Sequence, residues 1–263
     1  MDYIEVVFLA VLQGITEWFP ISSSGHLAFS QGILGIQGDF TFDVFLHFGT
    51  LLAVLFYFRK DILDIVRDIV NWNRKSENFK IGLYVLIASI PGAIIGLLFS
   101  NFVSGLFGSV LFVSVCFMIT GIILCITSYS NIDRNNLTMK ESFFVGLAQA
   151  FALLPGISRS GSTISAGMLL GLRDKEAIRF SFLLSIPITL GANIIAFRDF
   201  LNLQSYSIDI HSILLGIFVS FVVGIFAIHL LYGKMMASKK NLKWFGFYCL
   251  IIGIAGIIYS LIN

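Results

Sequence analysis

Apolar positions in this chain fall in long uninterrupted runs, and the charged positions gather between them: residues 81–132 hold no Asp, Glu, Lys or Arg, nor do 210–233 or 244–263. A helix of about 20 apolar residues crosses a bilayer. Six runs approach or reach that length, at about 42–58, 81–100, 106–127, 177–197, 211–232 and 244–262, each bounded by charge, Gly or Asn. Two further apolar regions, about 3–35 and 142–171, are interrupted midway by Pro, Ser and Gly: F-P-I-S-S-S-G at Phe19–Gly25 and L-P-G-I-S-R-S-G at Leu154–Gly161. Two half-length helices on either side of a break predict a re-entrant hairpin.

Charge placement orients these runs, because Lys and Arg collect on the cytoplasmic side of a membrane. Six basic residues lie from Arg59 to Lys80, two are Arg134 and Lys140, three are Arg173, Lys175 and Arg179, and four run from Lys234 to Lys243. With six crossings all of these share one face, Arg198 is on the other, and Arg159 stays inside the second interrupted region. Making either interrupted region a full crossing would put later clusters on the wrong side. Both termini are therefore expected outside, with the first hairpin entering from the outer face and the second from the cytoplasm. The start, Met1-Asp2-Tyr3-Ile4-Glu5, is acidic where a signal peptide is basic, so the first hairpin is expected to be retained.

Laying Gln13–Gly25 over Gln149–Gly161 matches Gln13, Ser22, Ser24 and Gly25 to Gln149, Ser158, Ser160 and Gly161 at a constant offset of 136. Combined with two interrupted helices entering from opposite faces, this predicts an inverted-topology repeat with its site near the bilayer midplane. The expected fold is an all-α polytopic membrane protein: one integral-membrane domain over 1–263, with six transmembrane helices and two re-entrant hairpins. The halves are 1–130, carrying the hairpin at about 3–35, and 138–263, carrying the hairpin at about 142–171.

Composition narrows the function. A net charge of +2, from 17 basic and 15 acidic residues, provides no basic field for nucleic acid. Cys116, Cys125 and Cys249 each sit in an apolar run with no metal-ligand spacing, and read as small membrane-helix residues.

Glu17 and Arg159 are the formal charges set deepest in apolar sequence, one in each hairpin. Such a charge at mid-membrane costs on the order of 2.5 to 3.5 kcal/mol even on the gentler scales, which points to function or to an ion pair joining the halves. Hydroxyls are dense around them: Ser22, Ser23 and Ser24 follow Pro20, and Ser158, Ser160, Ser162 and Thr163 follow Pro155-Gly156. Each break can cap a returning half-helix with Ser, and two helix N-termini with the planar fork of Arg159 suit a phosphate or diphosphate. Ser23 and Ser158 are the stronger candidates for ligand contact, whereas Ser24, Ser160 and Ser162 serve equally well to satisfy backbone freed by the breaks. Gln13 and Glu17, four apart, share a helix face leading to the serines. A carboxylate facing phosphate serves either as a base or as a ligand to a hard divalent cation. His26, beside Ser22 and Ser23, is a candidate for the same site; His47, His211 and His229 read as structural.

These motifs resemble the undecaprenyl-diphosphate phosphatase, or bacitracin-resistance, family. Q-G-I-T-E-W-F-P-I-S-S-S-G-H, from Gln13 to His26, is similar to the family's (E/Q)-x-x-x-E followed by P-x-S-S-(S/T)-G-H, and P-G-I-S-R-S-G-S-T, from Pro155 to Thr163, to P-G-x-S-R-S-x-x-T. The resemblance extends over the chain and implies a plasma-membrane hydrolase that removes the terminal phosphate of a polyprenyl diphosphate. The product is the monophosphate carrier for cell-wall polymers, and the activity confers bacitracin resistance. It further implies a Mg or Ca ion near Glu17 and a site open to the outer face. By position Glu17 matches the second acidic motif residue, Ser23 the proposed nucleophile, His26 the motif histidine and Arg159 the phosphate-binding arginine. Gln13, Ser22, Ser158, Ser160 and Thr163 are read as substrate-binding. Gln13 stands where many members have Glu, which removes one candidate metal ligand.

On this reading Glu17 deprotonates Ser23, which attacks the terminal phosphorus, while His26 protonates a leaving oxygen or activates water; His26 as nucleophile fits the same residues. The prenyl tail is expected in an apolar lateral opening, and a homodimer is compatible with the chain. The rival class is a polyprenyl-phosphate flippase or secondary transporter, since interrupted helices in inverted repeats occur in many transporters.

Overall fold

Lipid offers the backbone no hydrogen-bond partners, so apolar runs of this length must pair their own N–H and C=O groups as helices. In the computed structural model, which describes residues 1–36, 40–106, 108–130, 134–202, 209–235 and 239–262, the runs form eleven α-helices. Residues 131–133, in the join that the sequence places between the halves, lie outside the described residues, as does residue 107 within the expected span 106–127. The protein is an all-α polytopic membrane protein, as the apolar pattern predicts.

The first interrupted region forms α1 (Tyr3–Thr16) and α2 (Ser23–Leu34), and the second forms α7 (Met139–Phe151) and α8 (Arg159–Leu169). Both leading helices begin with a capping box, Asp2 with Glu5 and Thr138 with Glu141, in which a side chain and a backbone N–H at each end satisfy one another. The serine offset therefore extends to the helix starts: Tyr3 to Met139 and Ser23 to Arg159 are each 136 residues apart.

The expected spans are α3 (Phe40–Tyr57), α5 (Glu77–Leu106), α6 (Val110–Thr127), α9 (Asp174–Asn202), α10 (Ile210–Leu230) and α11 (Leu242–Ile262). Five of these are long and apolar enough to cross alone; α3 qualifies together with α4 (Arg59–Val70), from which it is bent by 76°. The bend follows from tertiary packing together with the charge on α4. α4 packs Ile65 and Ile69 where the missing side chain of Gly82 leaves room on α5, while its charged positions require water, so it turns away from the span at Phe58. Arg179 of α9 pairs with Asp61 and holds α4 in that position.

The hairpins are clasped by spans from the opposite half: α1 packs along α10, and α7 along α5. α6 and α11 form the most extensive contact, brought close by Gly121 and Gly246, where a Cβ on either would lie 2.8–2.9 Å from the other's carbonyl oxygen. α3 lies against α9, and the buried core beside the hairpin break sets Phe182 edge-on to Trp18 at 4.8 Å and to Phe58 at 6.1 Å. These contacts bring both breaks to the centre of the molecule.

Candidate active site

The two breaks are built alike. Ser22 caps α2, with Oγ accepting from Gly25 N at 3.3 Å, and Ser158 caps α8, with Oγ accepting from Gly161 N at 2.9 Å. Each capping hydroxyl also lies near the hydroxyl two residues on, Ser24 at 3.4 Å and Ser160 at 3.3 Å. The breaks touch: Ser160 Oγ donates to Phe19 O at 3.0 Å, and a Cβ on Gly25 would meet Gly156 Cα at 3.0 Å. Gly156 adopts φ +94°, a left-handed conformation that spares glycine the Cβ clash, and Thr120 of α6 fixes this turn by donating to Gly156 O at 3.0 Å and accepting from Ser158 N at 3.1 Å.

Glu17 sits where α1 ends, 8% exposed, and four polar side chains turn toward it. Arg159 Nη2 donates to Oε1 at 2.6 Å across the interface between halves. Ser23 Oγ donates to Oε2 at 2.6 Å, and Gln13 Nε2 donates to the same oxygen at 3.1 Å. His47 Nε2 lies 3.5 Å from it. Arg159 is itself braced by Ser181 O at 3.3 Å and lies over the Trp18 ring at 5.8 Å.

A cavity of about 230 Å³ opens beside this cluster. Glu17, Ser22, Ser23, Arg159, Asp43 and His47 contribute to its polar end, and Leu153, Ile157, Ile188 and Ala192 wall an apolar arm. The remaining residues singled out from sequence lie behind or beside that wall. Gln13 is fully buried behind Glu17; Ser158 and Ser160 are engaged at the second break; Thr163 donates to Arg159 O at 2.9 Å and meets Ser181 Oγ at 2.6 Å. His26 has both ring nitrogens occupied, Nδ1 donating to Ser22 O at 2.7 Å and Nε2 accepting from Tyr248 Oη at 2.8 Å.

His47 and Asp43, which the sequence reading leaves out of the site, stand on the cavity wall. The available signal was periodic: Asp43, His47 and Thr50 recur at three- and four-residue spacing and put a polar stripe on one face of an otherwise apolar helix.

Donor chemistry bears on a cation. Among the described residues no group of three or more His, Cys, Asp or Glu side chains is placed to hold a metal ion. Gln13 Oε1, however, is buried without a hydrogen-bond partner, on the side chain that binds Glu17. A carboxylate and an amide oxygen suit a hard cation that takes its other ligands from substrate phosphate and water.

Known proteins match nearly the whole length of the chain. The profile of the family described as Bacitracin resistance protein BacA matches residues 6–255. The chain is 40% identical to an undecaprenyl-diphosphatase of Methanobrevibacter smithii over 97% of this chain and 96% of the relative. It is 41% identical to that of Halothermothrix orenii over 99% of each, and 35% identical to that of Methanococcus vannielii over 97% of this chain and 99% of the relative.

Proposed function

This chain belongs to the Bacitracin resistance protein BacA family, and from that membership we infer that it is an undecaprenyl-diphosphatase, a membrane hydrolase that removes the terminal phosphate of undecaprenyl diphosphate. The observation that carries the reading to particular atoms is the 2.6 Å hydrogen bond from Ser23 Oγ to Glu17 Oε2 beside the Arg159 fork.

The chemistry follows from that arrangement. Arg159 and the N-terminal amides of α2 hold the terminal phosphate, because the first turn of a helix has N–H groups without helical partners and its dipole favours an anion. Ser23 Oγ attacks the terminal phosphorus and gives its proton to Glu17. The bond from phosphorus to the bridging oxygen breaks, and undecaprenyl phosphate leaves. Water then cleaves the phosphoserine, releasing inorganic phosphate and restoring the hydroxyl. Ser23 is the better nucleophile of the two that the sequence leaves open, since His26 is tied to Ser22 and Tyr248. Glu17 with Gln13 would hold a divalent cation, Mg or Ca, whose charge offsets that of the diphosphate.

The apolar arm receives the start of the prenyl chain, with Ala192, exposed at its mouth, facing the lipid. By the positive-inside rule the basic clusters favour α4 and the turns near Arg134, Arg173 and Lys243 on the cytoplasmic side of the plasma membrane and both termini outside, and the family resemblance implies a site opening to the same outer face.

Phosphate release from undecaprenyl diphosphate by detergent-purified protein, with and without chelator, tests the reading and separates hydrolysis from transport, which needs two compartments. Ser23→Ala should lower kcat/KM by about 10²-fold or more while the fold is kept, and Glu17→Gln should lower it at least as far and lower Tm as well, because it leaves Arg159 buried without its partner. A parent protein that releases no phosphate with metal supplied would sink the hydrolase reading and leave lipid transport to be tested.

A further inference from the structure

Ser22 is strained at the point where the nucleophile is aimed. It caps α2 and directly precedes Ser23, and its φ is +68°, in the half of backbone space that an L side chain rarely adopts. Its carbonyl oxygen accepts twice from His26, from the backbone N at 3.1 Å and from ring Nδ1 at 2.7 Å. Relaxing this turn to a negative φ would swing Ser23 Oγ away from Glu17 Oε2, so the ring bond is part of what keeps the nucleophile in place.

A carbonyl only accepts, so Nδ1 of His26 must carry a proton. Which nitrogen of a neutral imidazole does so is set by what the other one meets. Nε2 meets the Tyr248 hydroxyl at 2.8 Å. His26 is 9% exposed, with the Tyr248 ring stacked on it at 5.7 Å and Phe117 edge-on at 5.1 Å. Both of its nitrogens face neutral oxygens, so charging the ring would be costly, and the hydroxyl donates to Nε2. Resting on the hydrolase reading above, we propose that Tyr248 is a positioning residue: its hydroxyl fixes the His26 tautomer that holds Ser22 and thereby aims Ser23 at the terminal phosphorus. Without that donor the proton can move to Nε2, leaving Nδ1 an acceptor against a carbonyl and the tie to Ser22 broken. α6 and α11 thus tend one break each, α6 the second through Thr120 and α11 the first through Tyr248. Each does so for the hairpin of the opposite half.

The test compares phosphate release from undecaprenyl diphosphate by the parent, Ser23→Ala, Tyr248→Phe, His26→Ala, His26→Asn and the double variant Tyr248→Phe with His26→Asn, with thermal unfolding of each in the same detergent. Phe keeps the ring stack and removes only the donor, so kcat should fall by about 10-fold, the effect of one hydrogen bond, with KM and Tm close to the parent's. Asn places an amide N–H where Nδ1 stands and has no tautomer to fix. His26→Asn should therefore exceed His26→Ala in kcat and lose nothing further when Tyr248→Phe is added. An unchanged kcat in Tyr248→Phe would overturn the proposal, as would a rise in KM alone, which marks a contact with the lipid, or an equal loss in the His26→Asn background. Ring nitrogen NMR signals of His26, assigned by their loss in His26→Asn, test the parent directly and serve if Tyr248→Phe does not fold. They should show a protonated Nδ1 and a bare Nε2, and a proton on Nε2 would overturn the proposal. A silent parent would remove the hydrolase reading, whereas an active parent, an inactive Ser23→Ala and an unaffected Tyr248→Phe would remove only this inference.

Discussion

At the scale of single residues, the site rests on a charge pair that neither partner could sustain alone. Glu17 is 8% exposed and Arg159 16%, and removing one member of such a pair leaves the other buried without compensation, typically at about 3–5 kcal/mol. Arg159 also splits its guanidinium between Glu17 and Ser181 O, which an ammonium cannot reproduce. Arg159→Ala should therefore lower both Tm and activity, while Arg159→Lys should restore much of the Tm and leave kcat/KM depressed by about 10-fold or more. Equal thermal stability of the Ala and Lys variants would argue against the pair as a structural tie. Gln13, Glu17, Ser23 and Arg159 were legible from sequence because charged and amide groups in apolar surroundings stand out. His47 was less so: the Asp43, His47 and Thr50 spacing marks a polar stripe on one face of α3 but not what that stripe faces.

At the scale of elements, the path proposed for the prenyl chain is shaped by α9 and the turn after α7. Leu153 lies two residues past the end of α7, and Ile188 and Ala192 lie one turn apart on α9, so one face of that helix lines the apolar arm of the cavity. Ala192→Trp should narrow the mouth and raise KM for undecaprenyl diphosphate several-fold more than for farnesyl diphosphate, whose short chain ends nearer the polar end. KM measured for both lipids in matched detergent decides this, and an equal rise for the two would place the prenyl chain elsewhere. Helix starts and breaks were readable because Ser, Pro and Gly act locally on the backbone. The bend between α3 and α4 was not, because it arises where α4 docks on Gly82 and where Arg179 reaches Asp61 from a distant part of the chain.

At the scale of the whole molecule, the halves are interleaved, α1 held by α10 and α7 by α5, so neither hairpin is enclosed by its own half. We read this, with the 136-residue offset of capping boxes and serine caps, as two related halves inserted in opposite senses. Topology is testable directly. With Cys116 and Cys249 buried and the half-buried Cys125 replaced by Ser, Lys75→Cys between α4 and α5 should react with an impermeant maleimide only in inside-out vesicles, and Asp2→Cys only in intact cells. Labelling of both from one side would overturn the orientation. The sequence by itself determined which segments enter lipid, where two of them break and which residue types gather at the breaks, because hydropathy, helix capping and proline act over a few neighbours. Only the tertiary structure decided that Glu17 meets Arg159, that His26 turns to Tyr248 and that His47 faces the cavity. Those outcomes depend on helix rotation and on contacts between residues as much as 222 positions apart, which local pattern does not encode.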